Sequence, residues 1–359
     1  MKIYLTIDFE MSRLEAYIRF LNFKFPTELS NFLFFSANDE IVTRKLKMLS
    51  EVSDSILYDS GAFTLHLRAM KQKAKGTFNQ AEHERTLERH FQNYLQMLHK
   101  HSKKFELYAN FDVIEDPERS AQYQSRMEKQ GLRPMPVYHR GTDLRYLKYY
   151  LENYEYVGIG GFAYHSSVSW KVKQEMLKDL WRFIYNVNPN AKIHGFGLGR
   201  ARYFAFPWCS IDTSRPFRQA VWTKLLLISY IPEEIKFSGA REIKRQCSVH
   251  IADLIDYSIS KFELMQPGSE KRKFMDAILD YLYEKKMLKE KVKTKDLIFS
   301  AKTTKGKHKV DTPLWMCIQF AISKLLTDYI NSKEFQSFVS ERLKNELKRR
   351  KSIFTGVAK

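Results

Sequence analysis

Up to about residue 215, short runs rich in apolar and β-branched residues alternate with longer stretches whose apolar positions recur every three or four residues. The short runs are "KIYLTID", "NFLFFSAN", "SILYDSG", "FELYANFD", "MPVYHRG", "YVGIGGF", "KIHGFGLG" and "CSIDTS". The longer stretches include "TFNQAEHERTLERHFQNYLQMLHKHSKK" and "KVKQEMLKDLWRFIYNV", whose spacing predicts amphipathic helices. Strand, helix, strand repetition implies a parallel sheet, because parallel neighbours need a crossover between them. The expected fold is therefore α/β. Eight such strands in one unit predict a (β/α)8 barrel over residues 1–225, with an open doubly wound sheet as the other arrangement the pattern allows. The first run also fits an N-terminal hairpin or lid.

The remainder, residues 226–359, reads as helices. "EIKRQCSVHIADLIDYSISKFELM", "KRKFMDAILDYLYEKKMLKEK" and "TPLWMCIQFAISKLLTDYINS" all carry apolar residues at helical spacing. Between the last two, "KTTKGKHKVDTP" is polar, basic and glycine-containing, the composition of an exposed loop or short hairpin. "ERLKNELKRRKS" is a charged helix closing on consecutive cations.

Charge sharpens this picture. Lysine and arginine total 60 against 41 acids, a net charge of +19. Such an excess points to an acidic macromolecule as partner, since each cation that neutralises a phosphate releases a counterion. The bland alternative is a basic surface that serves solubility. No apolar stretch is long enough to span a bilayer, and Asp8 and Glu10 interrupt what a signal peptide would need, so a cytoplasmic protein is expected. Cys209, Cys247 and Cys317 are odd in number and far apart, which offers no disulfide framework. Only Cys247 with His250 approaches zinc-ligand spacing, so no metal or other cofactor is expected.

Working residues of a parallel α/β barrel sit where strands end. Here those positions carry Asp59, Ser60 and Gly61; Asp112; His139; Gly160 and Gly161; Gly195, Gly197 and Gly199; and Asp212. One aspartate after a strand is as often a helix cap or turn former, but three at parallel strand ends form a pattern. "GFGLGR" lacks the spacing of a dinucleotide fingerprint, although Arg200 and Arg202 are placed to hold a phosphate.

These segments, taken in order, resemble the tRNA-guanine transglycosylase superfamily. "YDSGAFT" is similar to its "DSGGFQ" segment, "NFDVIED" to "AFDE", and "VYHRG" falls where the family has "VQGG". "GIGGFA" is similar to "GGLA", "GFGLG" to "GVG", and "SIDTSRP" to "DCVLPTR". The resemblance implies base exchange in nucleic acid, a guanine leaving and a 7-deazaguanine taking its place. It implies Asp212 as the nucleophile at C1′ of a flipped nucleotide, and Asp59 as general base or base contact. Asp112 would bond the guanine-like face, with His139 in place of the family glutamine and the backbone of Gly160 and Gly161 lining the base pocket. Ser60 joins that pocket; Phe63, Phe111, Phe162 and Tyr164 are the aromatics able to sandwich an extruded base. Arg215 and Arg218 would hold the flanking phosphates.

The chain departs from the bacterial tRNA enzymes in lacking their zinc module; "RQCSVH" retains only Cys247 and His250 of such a set. Lysine-rich helices and a loop bearing Lys302, Lys305, Lys307 and Lys309 stand in its place. That combination looks more like the branch that inserts 7-deazaguanines into DNA, found in phages and bacterial modification clusters. DNA is thus the expected partner and a free 7-deazaguanine the co-substrate, with a homodimer or a DNA-opening accessory protein as further partners. A zinc-less tRNA enzyme and a non-catalytic nucleic-acid-binding barrel are the two alternatives.

Overall fold

The computed structural model describes residues 1–6, 31–34, 38–53, 55–162, 168–215, 224–228, 256–300, 313–333, 335–337 and 339–341. Each of the eight short runs contains a strand: β1 (Lys2–Thr6), β2 (Asn31–Phe34), β3 (Ile56–Tyr58), β4 (Leu107–Tyr108), β5 (Val137–His139), β6 (Tyr156–Gly160), β7 (Lys192–Gly195) and β8 (Ser210–Thr213). They form one eight-stranded sheet in the order β4-β3-β2-β1-β8-β7-β6-β5, with every pairing parallel. β1 pairs with both β2 and β8, so the first run is a sheet strand and not a hairpin or lid. The two strands at the ends of this order are also connected. Just past β4, Ala109 makes a parallel bridge with Met135, just before β5.

Helices connect the strands on the sequence's own signals: α1 (Asp39–Val52), α2 (Ala62–Ala74), α3 (Gln80–His101), α4 (Pro117–Glu128), α5 (Leu144–Asn153) and α6 (Trp170–Val187). Asn38, Asn79, Asp116, Asp143 and Ser169 each cap a helix by accepting a first-turn N–H. Such caps contribute about 1 kcal/mol each by pairing amides that the helix itself leaves open.

Strand residues alternate between two apolar layers, as the two-residue period requires. Ile3, Leu5, Ile56, Tyr58, Val157, Ile159, Ile193 and Ile211 join helix residues such as Phe91, Leu147, Leu177 and Trp181 in the main core. Tyr4, Leu57 and Met135 pack with Leu107, Tyr156 and Phe196 in a second, smaller core on the other face. That smaller core draws on both ends of the strand order. Side chains there meet on that second face of the sheet.

The C-terminal region departs from its all-helical expectation. β9 (Lys224–Ile228) and β10 (Asp256–Ser260) pair antiparallel, and α7 (Lys261–Leu264), α8 (Glu270–Glu284), α9 (Thr294–Ser300) and α10 (Pro313–Ile330) follow. The expected helix through "IDYSIS" is thus corrected to a strand, and the expected boundary at residue 225 falls inside β9. "KLLLI" is a short continuous apolar run and "DYSIS" alternates by two, patterns that also satisfy a helical template when read over few residues. Phe274, Met275, Ile278, Leu279 and Leu282 of α8 belong to the main core, and the Met1 ammonium donates to Asn331 Oδ1 at 2.6 Å. The C-terminal region therefore packs on the α/β unit. Among the described residues, no helix is long and apolar enough to cross a membrane.

Candidate active site at the strand ends

Parallel pairing puts the carboxyl ends of β1, β3, β4, β5, β6 and β8 on one side of the sheet, and the predicted site residues follow them. Asp112 is held between two strands: Oδ1 accepts from Ser60 Oγ at 2.7 Å, and Oδ2 lies 2.6 Å from His139 Nε2. Ser60 follows β3 and His139 ends β5, so the carboxylate fixes both neighbours as they fix it. Gly160, at the end of β6, leaves room for this pair. A Cβ there would lie 2.7 Å from His139 Nδ1, closer than atoms can approach.

Asp212 is anchored separately. Its Oδ1 accepts the Gly197 N–H at 2.6 Å and its Oδ2 accepts from Thr6 Oγ1 at 3.1 Å. Gly197 has φ +69, a left-handed conformation that glycine adopts without strain and that turns its amide toward the carboxylate. Behind Asp212 lies His194, fully buried, with Nε2 3.5 Å from Oδ1. Its Nδ1 is 2.7 Å from Ser210 Oγ, which in turn is 2.7 Å from the Tyr156 hydroxyl.

Asp59 completes the set. It is partly buried and accepts the Ser60 N–H at 2.9 Å. Burial, reinforced by the charges of Asp112 and then Asp212, pushes its carboxyl up to about 7. Three carboxylates thus share one electrostatic site, and one of them titrates near neutrality. That is the range in which a side chain both takes and gives a proton efficiently.

A basic and aromatic rim lies beside this group. Lys173, in the first turn of α6, donates to the Phe162 carbonyl at 3.2 Å, and its ammonium is lowered by burial and by Arg200 and Arg140. The Arg202 guanidinium sits 5.0 Å over Trp170, which meets Tyr203 edge-on at 5.3 Å. Gly161 accepts from Arg140 Nε at 3.4 Å. The backbone N–H of Arg215 donates to Thr213 Oγ1 at 3.0 Å, directly after β8.

The structure therefore brings together Asp59, Ser60, Asp112, His139, Gly160 and, through its charge, Asp212. Phe63 is 48% exposed at the start of α2, and Phe162 is buried in the main core with the Arg140 guanidinium 5.6 Å over its ring. Phe111 is committed to the helix layer, packing on Phe91, Tyr94 and Tyr123, so it is no sandwich residue. Tyr164, Arg218, Cys247, His250, Lys302, Lys305, Lys307 and Lys309 lie outside the described residues. Thr6, His194, Arg140 and Lys173 were not anticipated. For His194 the signal was present: in "KIHGF" it shares strand parity with Phe196, which packs in the second core.

No protein-family model matches the chain, and no curated protein does.

Proposed function

We propose that the sheet closes into a (β/α)8 barrel and that the strand-end carboxylates perform guanine exchange on DNA, a 7-deazaguanine replacing guanine at the same sugar. Closure is supported by the Ala109–Met135 bridge between the two ends of the strand order and by the inner core those ends share. The function rests on one observation above all. Asp59, Asp112 and Asp212 stand at three different strand ends and within electrostatic reach of one another, with Asp59 pushed up to about 7.

In the proposed reaction Asp212 attacks C1′ and the C1′–N9 bond breaks. The departing electron pair is taken by N9 with a proton from Asp59, which leaves an aspartyl sugar ester and free guanine. The incoming base gives its N9 proton back to Asp59, and its nitrogen displaces Asp212 to restore a glycosidic bond. Splitting one hard displacement into two is what a carboxylate nucleophile offers. Asp112 accepts from the ring N–H and exocyclic amine of the base, while the His139 pair fixes its orientation. Arg140, Lys173, Arg200 and Arg202 neutralise phosphates of the extruded strand, with Arg215 and, by sequence, Arg218 and the lysines at 302, 305, 307 and 309 as further phosphate partners.

Labelled guanine or 7-deazaguanine, incubated with protein and either duplex DNA or unmodified tRNA, tests this reading. Label enters DNA with the wild-type chain and is absent with Asp212→Asn. Label only in tRNA assigns the site to the zinc-less tRNA enzyme, and label in neither, with nucleic acid still bound, assigns it to a binding barrel.

A further inference from the structure

A buried polar chain runs behind Asp212 and draws on three strands. Tyr156 opens β6, His194 lies within β7 and Ser210 opens β8. The Tyr156 hydroxyl stands 2.7 Å from Ser210 Oγ, and that oxygen stands 2.7 Å from His194 Nδ1. On its other side the imidazole places Nε2 3.5 Å from Asp212 Oδ1, with no partner at hydrogen-bond distance among the described residues. His194 and Ser210 are fully buried, and the ring meets those of Tyr4 and Phe196 edge-on, at 5.9 and 4.4 Å between centroids. Packing thus holds one ring nitrogen beside Ser210 and the other beside the carboxylate.

Hydrogens can be placed along this chain in two orders. In the first, Tyr156 donates to Ser210, Ser210 donates to Nδ1, and the ring proton sits on Nε2 next to the Asp212 charge. In the second, Nδ1–H donates to Ser210 and Ser210 donates to Tyr156. The Tyr156 hydrogen is then left to the neighbouring sulfur of Cys209, a weak acceptor, and a bare Nε2 lone pair stands against a carboxylate oxygen. The first order is favoured at both ends. The bond made at one ring nitrogen sets which nitrogen carries the proton.

With the proton on Nε2, Asp212 Oδ1 has two N–H neighbours, the Gly197 amide at 2.6 Å and His194, whereas Oδ2 has the Thr6 hydroxyl at 3.1 Å. Donors at one oxygen leave the other for the sugar. They also make the carboxylate a poorer nucleophile and a better leaving group. In the second displacement of the proposed reaction the base N9–C1′ bond forms, the C1′–Oδ2 bond breaks, and its electron pair returns to Asp212, where the charge spreads onto Oδ1. Fixed N–H groups matter most where such charge develops.

We propose that Tyr156 and Ser210 are positioning residues that hold the His194 proton on Nε2 and so ease the departure of Asp212 from the sugar in the second displacement. The assignment rests on the exchange reading and adds which half of the reaction this chain serves.

The first measurement uses the full chain without nucleic acid. Proton–nitrogen NMR of isotope-labelled histidine, with the His194 signal assigned by its loss in His194→Gln, shows which ring nitrogen carries the proton. Nε2–H is expected in the wild-type chain and in Cys209→Ala; Nδ1–H in the wild type overturns the proposal. The second measurement separates the half-reactions on guanine-containing duplex DNA. It follows covalent protein–DNA adduct formed without free base, and then adduct lost when 7-deazaguanine is added. Tyr156→Phe opens a lone pair on Ser210 to Nδ1–H, so the tautomer ratio should shift by about fivefold, the worth of one hydrogen bond. Adduct loss should slow by about three- to tenfold while adduct formation changes by less than about twofold. Ser210→Ala should slow adduct loss at least as much, and it decides the matter should Tyr156→Phe prove unstable. Equal slowing of both half-reactions, or unchanged adduct loss, overturns the proposal. Absence of any adduct with the wild-type chain overturns the exchange reading itself, and this assignment with it, whichever tautomer His194 holds.

Discussion

Asp59 carries the clearest consequence at the scale of one residue. Its carboxyl is pushed from 3.8 to about 7 by burial and by Asp112 and Asp212, so the folded state holds a proton that the unfolded chain has released. The native state binds more protons between those two values, and stability therefore falls as pH rises from about 4 to about 7 on account of this group. Asp59→Asn removes the buried charge and keeps the shape. It should raise stability at pH 8 by on the order of 1–3 kcal/mol, a gain that shrinks at pH 5 and vanishes near pH 4, as thermal melts at each pH would read. If Asp59 carries the proton in the proposed reaction, the same variant should lower exchange by a factor of roughly 100 or more. A stabilised, inactive variant would mark Asp59 as a working residue, and a destabilised one would return it to the core. His194, behind Asp212, is a different case: in the proposed reaction it would act as a positioning residue. When Ser210 donates to Nδ1, the ring proton sits on Nε2, 3.5 Å from Asp212 Oδ1. His194→Phe should cut kcat by about 10–100-fold with KM little changed, and His194→Gln, which keeps an N–H, should recover part of that loss. Equal loss in both variants, or a rise in KM alone, would leave His194 a packing residue. These two aspects were unequally legible. Asp59 stood out because an acid directly after an apolar strand is conspicuous, whereas His194 lies within a strand and reads as one more inward side chain.

At the scale of elements, alternation and capping carried most of the information. All eight strands of the sheet fall inside apolar runs, and the long helices begin at side chains able to cap them. β9 and β10 were missed because five-residue apolar or alternating segments satisfy two periods at once, and only pairing decides between them. Phe111 was misread for a related reason. Parity along "NFD" does not reveal that the chain turns after Ala109, and that turn, marked by Asp112 N–H donating to the Asn110 carbonyl at 3.0 Å, sends the ring to the helices. Gly160 is where an element and the site meet. The end of β6 must pass under the His139 ring, and Gly160→Ala would place a methyl 2.7 Å from Nδ1. The ring must then move off Asp112. Gly160→Ala should weaken binding of the free base by about tenfold or more and cost about 1–3 kcal/mol in stability, measured by equilibrium binding and by melting. Unchanged base binding would separate the His139–Asp112 pair from recognition.

For the whole molecule the governing quantity is charge. A net +19 makes some nucleic-acid binding expected from composition alone, so affinity by itself discriminates little. The salt dependence discriminates more. Each phosphate neutralised on duplex DNA adds about 0.9 to the slope of log K against log salt, wherever on the surface the cation lies. Arg202 sits over Trp170 and shares the electrostatic surroundings of Tyr203 with Arg200 and Arg140, which also act on Lys173. If the extruded strand passes over that rim, Arg202→Ala should lower the slope by about 1 and weaken binding evenly across sequences. On the proposed reading Asp112→Asn should behave in the opposite way: the slope for DNA stays unchanged while exchange of the base is lost, because there the residue bonds the heterocycle and no phosphate. Titrations of both variants over a range of salt would show whether the two functions are divided in this manner. A slope unaffected by Arg202→Ala would move the nucleic-acid track off the rim, and the same titration on variants of the lysines at 302–309 would then show whether they carry it.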